Sequence, residues 1–308
     1  MKTSVLDVIN SKEHVNICAP MVRYSKLPFR ALLRKYNVDI CYTPMILADV
    51  FKNSDLARET DYSTNAGDDP VVVQFAASNS EDLAAAAELV APFAGGIDIN
   101  CGCPQKWAIQ ERIGSHLMSD PETVRDMVRT VKNRVSIPCS IKIRVHPDLR
   151  ETYEFVKRAE SVCVDYITVH GRTRNQKSTE PVNFEGIKLV KESVSMPVFA
   201  NGSIFSNADA EEMYEKTGVD GVMSARGLLQ NPAFFSGYEY TPWECIEEYV
   251  HLALGYGTNH FIFHHHLMYM FEDIMSNAER KTFNTLSSIP AILDHLEEHW
   301  GLDVNKLI

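Results

Sequence analysis

Short apolar or β-branched runs recur along the first three-quarters of the chain, at 15–19, 38–42, 71–76, 96–100, 139–144, 166–170, 197–201 and 221–225. Each has the length of a buried strand, and most gaps are long enough for a helix. Several gaps open with helix-start chemistry: Ser80-Glu81-Asp82, Asp120-Pro121-Glu122 and Ser206-Asn207-Ala208-Asp209. Eight strands alternating with helices over roughly 210 residues predict an α/β fold, a (β/α)8 TIM barrel. The competing doubly wound sheet carries a Gly-rich dinucleotide turn after its first strand. This chain has Ala19-Pro20-Met21-Val22-Arg23 there, which favours the barrel. Beyond about residue 240 the period changes. Pro242-Trp243-Glu244 reads as a helix start, and apolar residues then recur at helical spacing through Trp300. The expected division is a barrel over residues 1–240 and a small all-helical C-terminal domain over 241–308.

Composition narrows the class. Hydrophobic residues make up 45% and charged residues 23% of the 308, as in soluble globular proteins. No window approaches the apolar length of a membrane span. Met1 to Asn16 carries Lys2, Asp7, Lys12 and Glu13 and lacks the apolar core of a secretory leader. The seven cysteines lie mostly inside apolar runs, where free Cys behaves as a small hydrophobe. A reduced, intracellular protein without disulfides is expected, in the cytoplasm, with the nucleus as second candidate. The net charge of −11 argues against indiscriminate nucleic-acid binding. Its distribution is uneven: residues 232–308 carry 3 Lys+Arg against 11 Asp+Glu, while residues 1–231 are nearly balanced at 27 against 30. A polyanionic partner must therefore meet a local basic surface on the barrel.

Barrel chemistry sits at the C-terminal ends of the strands. Those positions carry Pro20 and Met21, Gln74, Asn100-Cys101-Gly102-Cys103-Pro104, Lys142 and Arg144, His170 with Arg172 and Arg174, Asn201-Gly202-Ser203, and Ala225-Arg226-Gly227. The last two loops are where barrels commonly hold phosphate, although their glycines also suit plain tight turns. Arg226 tips the balance toward an anion. Lys142, inside a barrel strand, calls for an anion, a ring carbonyl or a salt bridge. His170 alone reads as a buried, satisfied histidine; beside Arg172, Arg174 and Lys177 it reads as part of an anion-facing surface. Cys101 and Cys103 lack the spacing and second ligand pair of a zinc site. In the tail, only His260 and His264 among the clustered histidines share a helix face at ligand spacing. A helical face against RNA is the preferred reading there, and no metal is expected.

Together these segments resemble the tRNA-dihydrouridine synthases. Ala19-Pro20-Met21, Gln74-Phe75, Asn100 to Pro104, Ile141-Lys142-Ile143-Arg144, Val169 to Thr173, Asn201-Gly202 and Arg226-Gly227 follow the family's order and spacing across the whole barrel. The tail, with Phe263-His264-His265-His266-Leu267-Met268-Tyr269, is similar to the eukaryotic type 4 subgroup, which acts at D-loop positions 20a and 20b. The resemblance implies an enzyme that uses flavin mononucleotide (FMN) and NADPH or NADH to saturate a uracil 5,6 double bond in tRNA. Hydride would pass from flavin N5 to C6, and Cys103 would protonate C5. Pro20, Met21, Val22 and Gln74 would frame the ring, with Lys142 at its pyrimidine side. His170, Asn201, Gly202, Ser203, Ala225 and Arg226 would hold the ribityl phosphate. Ser203 stands where the family often has Asp, and Ala225 where it often has Gly; backbone donors survive both changes. Asn100, Arg144, Arg172, Arg174 and Lys177, with Lys106 beside them, are candidates for contacts to uracil or phosphate. A thiol titrating near ~8.5 is mostly protonated at neutral pH and can serve as the acid. The competing readings are an FMN-dependent dehydrogenase of a free pyrimidine, similar to dihydroorotate dehydrogenase, and an RNA-binding scaffold without catalysis.

Overall fold

The computed structural model describes residues 2–306. Its strands are β1 (Val15–Cys18), β2 (Ile40–Tyr42), β3 (Ile46–Leu47), β4 (Val71–Ala76), β5 (Gly96–Asn100), β6 (Cys139–Arg144), β7 (Tyr166–His170), β8 (Val198–Asn201) and β9 (Gly221–Ser224). All eight apolar runs are strands. They pair in parallel, β1 joining both β2 and β9 while β2 joins β4, so the ring closes into the expected (β/α)8 barrel. The two-residue β3 extends the edge of β4 and is too short to leave a period in the sequence.

Strand alternation sorts the side chains into two layers. Ile17, Tyr42, Val72, Tyr166, Phe199 and Met223 form the cluster inside the barrel, whereas Cys18, Val73, Ile97, Ile141 and Val169 belong to the larger cluster under the helices. The inner cluster also takes in Val5 and Ile9 from the helix Val5–Ser11, whose first N–H donates to the Gly95 carbonyl at 3.1 Å. The N-terminal segment thus closes one end of the barrel. Inside, the Tyr42 hydroxyl donates to that of Tyr166 at 3.2 Å, and the Tyr166 and Phe199 rings lie 5.3 Å apart. Toward the C-terminal ends the interior turns polar, with Gln74, Asp98, Ser140 and Thr168 fully buried. That polar layer is the floor of the barrel mouth.

The helices Trp243–Gly255, His260–Met270, Asn277–Phe283 and Ile289–Trp300 make up the tail. The last three are capped by Asn259, Ser276 and Ser288, each such cap stabilising by about 1 kcal/mol. Tail residues Ile246, Tyr249, Phe263 and Leu267 share one apolar cluster with the barrel's outer layer. His264 and His266 are buried, and their Nε2 atoms donate to the carbonyls of Phe283 at 2.9 Å and Tyr24 at 3.1 Å. Two members of the histidine run expected to face RNA, His264 and His266, are therefore internal joints, one fastening the tail to the loop after β1, while His260 and His265 stay partly exposed. Among the described residues, no three His, Cys, Asp or Glu side chains converge as metal ligands, and no helix is long and apolar enough to cross a membrane.

Candidate active site

One hydrogen-bonded chain crosses the polar layer. The Ser140 hydroxyl donates to Asp98 Oδ1 at 2.6 Å, Gln74 Nε2 donates to Asp98 Oδ2 at 2.7 Å, and Asn100 Nδ2 donates to Gln74 Oε1 at 2.9 Å. Asn100 Oδ1 then accepts the backbone N–H groups of Gly102 at 3.2 Å and Cys103 at 3.0 Å. The barrel floor thereby fixes the loop that carries Cys103. Burial pushes the Asp98 carboxyl up to about 6, although its two hydrogen bonds and the Lys142 charge work against that rise. Cys103 is half-buried at the mouth; Cys101 faces the helices, fully buried, its thiol pushed well up by burial. Gly114, at φ 62°, supports the loop from outside, since a Cβ there would stand 2.7 Å from the Cys103 carbonyl oxygen.

Across the mouth, Lys142 Nζ donates to Asn201 Oδ1 at 2.8 Å, and Asn201 Nδ2 donates to the Met223 carbonyl at 2.8 Å. Burial first, then the neighbouring Arg144 charge, brings the ammonium down to about 8. Arg144 donates to the carbonyls of Gly102 at 2.7 Å and Thr173 at 3.1 Å, tying the Cys103 loop to the loop after β7. His170 is held at about 2, chiefly by burial and then by Lys142, Arg144, Arg172 and Arg226. It therefore stays neutral at ordinary pH. Arg172 Nη1 donates to His170 Nε2 at 3.2 Å, which puts the imidazole proton on Nδ1, and Arg172 Nη2 donates to the Ser203 hydroxyl at 2.6 Å.

Two adjoining cavities result, both touching His170. The central one, about 170 Å³, is lined by Pro20, Val22, Met45, Gln74, Asn100, Gly102, Cys103, Pro104, Lys142, Arg144 and His170. The smaller, about 80 Å³, lies over the last two barrel loops, with Arg172, Ser178, Asn201, Gly202, Ser203, Phe205, Ala225 and Arg226 around it. The first offers a wall of mixed polarity with a thiol and an ammonium. The second offers two guanidiniums and a hydroxyl, the donor set for a phosphate.

The profile described as "Dihydrouridine synthase (Dus)" matches residues 17–291, from β1 into the last helix of the tail. The chain belongs to the dihydrouridine synthase family. A human protein named "tRNA-dihydrouridine(20a/20b) synthase [NAD(P)+]-like" is 51% identical over 98% of this chain and 96% of its own length. A Schizosaccharomyces pombe protein named "tRNA-dihydrouridine(20a/20b) synthase [NAD(P)+]" is 45% identical over 96% and 91%. A rat protein named "tRNA-dihydrouridine(16/17) synthase [NAD(P)(+)]-like" is 35% identical over 92% of this chain and 66% of its own length. As a dihydrouridine synthase the chain is an oxidoreductase, and neither a free-pyrimidine dehydrogenase nor an inert scaffold is favoured.

Most of the residues singled out in this dihydrouridine synthase converge on the two cavities. Five are placed differently. Arg172, a candidate for contact with the substrate, is buried in the smaller cavity on His170 and Ser203. Met21 packs against the apolar clusters instead of lining the cavity. Arg174 lines a separate cavity of about 310 Å³ beyond Arg144, with Ser119 at 3.5 Å. Lys177 and Lys106 are exposed and line neither cavity. Asn100 lines the central cavity, but its amide serves Gln74 and the Cys103 loop, so it positions. Asp98, Ser140 and Gly114 were missed. Asp98 and Ser140 stand two positions before Asn100 and Lys142, on the same strand faces, a signal that could have found them.

Proposed function

We propose that this protein reduces the 5,6 double bond of uridine at D-loop positions 20a and 20b of tRNA, with FMN as cofactor and NADPH or NADH as reductant. The observation that carries the chemistry is the placement of Cys103 and Lys142 on the walls of one cavity that adjoins a second, cationic one through His170. The fit to FMN rests on the same pair: the central cavity suits a flat ring, and Arg172, Arg226 and Ser203 suit its phosphate. When bound, the flavin supplies the hydride for uracil C6. The protein's own groups do the rest. Lys142 brings a cation to the ring's edge, where negative charge is stabilised in a partly dry site. The Asp98–Gln74–Asn100 chain holds the Cys103 loop, and the thiol gives a proton to C5. Arg144 braces that loop and faces the target base.

The choice of positions rests on the relatives: identity falls from 51% to 35% between those named for 20a/20b and those named for 16/17. We further propose that residues 241–308 form the part that orients the tRNA, and that the protein works in the cytoplasm, with the nucleus as second candidate. A uridine leaving its stack costs a few kcal/mol, less in a loop already unpaired. The decisive experiment is Cys103→Ala assayed in two halves. NADPH should still bleach the protein-bound flavin, while dihydrouridine formation falls by roughly 10²-fold or more. Normal modification by this variant would remove Cys103 from the acid role. Mapping tRNA from cells lacking the protein should show dihydrouridine lost at 20a and 20b; loss at 16 and 17 instead would overturn the positions.

A further inference from the structure

We infer that Arg23, Phe261 and His265 form a binding site for an unpaired tRNA nucleotide next to the target uridine, shared between the barrel and the tail. The inference rests on reading the substrate as tRNA. Arg23 is an exposed residue in the loop after β1, held at φ 74°. Val22, immediately before it, lines the central cavity and is 55% exposed. The Arg23 guanidinium lies 5.4 Å from the centre of the Phe261 ring. Phe261 belongs to the tail helix His260–Met270 and is 43% exposed. Its ring lies 4.0 Å from that of His265, and His265 Nδ1 shares a 3.1 Å hydrogen bond with the Tyr24 hydroxyl.

Three flat groups from two parts of the chain therefore meet next to Val22, a wall residue of the active cavity. The platform is firm, because the Tyr24 carbonyl also accepts the buried His266 and the Tyr24 ring stands edge-on to Tyr269. Among the described residues, no carboxylate forms an ion pair with Arg23. A guanidinium over an exposed aromatic ring offers a base a stacking partner and a phosphate a cation. The surrounding charge points the same way. The tail is strongly acidic, with 3 Lys+Arg against 11 Asp+Glu over residues 232–308, and repels a polyanion in general. At this point the barrel lends it a cation. The nucleotide that fits is one flanking the extruded uridine, since its base is already unpaired and its phosphate follows the rim.

Arg23→Gln and Phe261→Ala, with Phe261→Trp as the conservative control, test the site. We expect the Kd and KM for tRNA to rise about fivefold or more in the first two, with near-normal values for Phe261→Trp. Arg23→Gln should also flatten the dependence of log Kd on log salt by about one phosphate contact. Flavin reduction by NADPH should be unchanged in all three. If Phe261→Ala melts early, Arg23→Gln decides alone. Unchanged Kd, KM and salt slope in a folded Arg23→Gln would overturn the site. Slowed flavin reduction would also overturn it, by making Arg23 a cofactor residue. Failure of the wild-type protein to modify tRNA at all would instead reject the substrate on which the inference rests.

Discussion

Replacing Asn100 by alanine removes three hydrogen bonds: the N–H groups of Gly102 at 3.2 Å and Cys103 at 3.0 Å lose their acceptor, and Gln74 Oε1 loses its donor at 2.9 Å. The two N–H groups belong to half-buried residues and can turn to water at small cost. Gln74 is fully buried, and an orphaned buried acceptor costs about 1–3 kcal/mol. The sum is about 2–4 kcal/mol, or a fall in Tm of about 3–6 °C for a chain of 308 residues. The effect on catalysis should be larger than that on folding. Without its anchor the Cys103 loop is held mainly by Arg144 on the Gly102 carbonyl and the Ser115 N–H on the Cys103 carbonyl. A displacement of about 1 Å at a reacting group costs about 10²-fold in rate. The assay pairs stopped-flow reduction of the flavin by NADPH with rapid-quench measurement of dihydrouridine under single-turnover conditions, and a thermal melt reports stability. We expect flavin reduction within about threefold of wild type and dihydrouridine formation slowed about 10²-fold. Wild-type modification rates, or equal slowing of both halves, would refute the positioning role.

Lys142→Ala should slow oxidation of the reduced flavin by tRNA about tenfold or more. With the ammonium at about 8, the wild-type rate should decline as pH rises through that value, and Lys142→Arg should remain flat to higher pH; matching profiles would count against the assignment. Stability should fall in acid. Burial holds His170 at about 2 and His266 at about 3, far below the ~6.5 of an unfolded histidine. The unfolded chain therefore takes up two protons that the folded one refuses as pH drops through ~6.5, and Asp98, raised to about 6, offsets about one of them. The net loss near pH 5 is about 1.4 kcal/mol per pH unit. His266→Gln keeps a donor for the Tyr24 carbonyl and should flatten that slope in urea midpoints measured between pH 7 and 5. An unaltered slope in this variant would exclude His266 as a source.

The barrel was legible because each strand announces itself locally. A run of five or six mostly apolar residues between turn signals needs no distant partner to be recognised, and eight runs at helix-sized intervals leave little else to build. Tail helicity was legible from its period, and Cys103, Lys142 and Arg226 from their position at strand ends. What the side chains there do was settled only by closure of the ring. Asn100 stands opposite Lys142 in register, yet its amide is engaged by Gln74 and the Cys103 loop. Asp98 and Ser140 became a buried polar floor once β5 and β6 paired. The helix Val5–Ser11 became a plug because the barrel end left an apolar opening. His266 became a joint because the tail folded back onto Tyr24. Arg23 and Phe261 met although they lie near opposite ends of the chain. Periodicity reports the geometry of a single element, whereas a hydrogen-bond partner or a stacked ring depends on which elements the folded chain sets side by side.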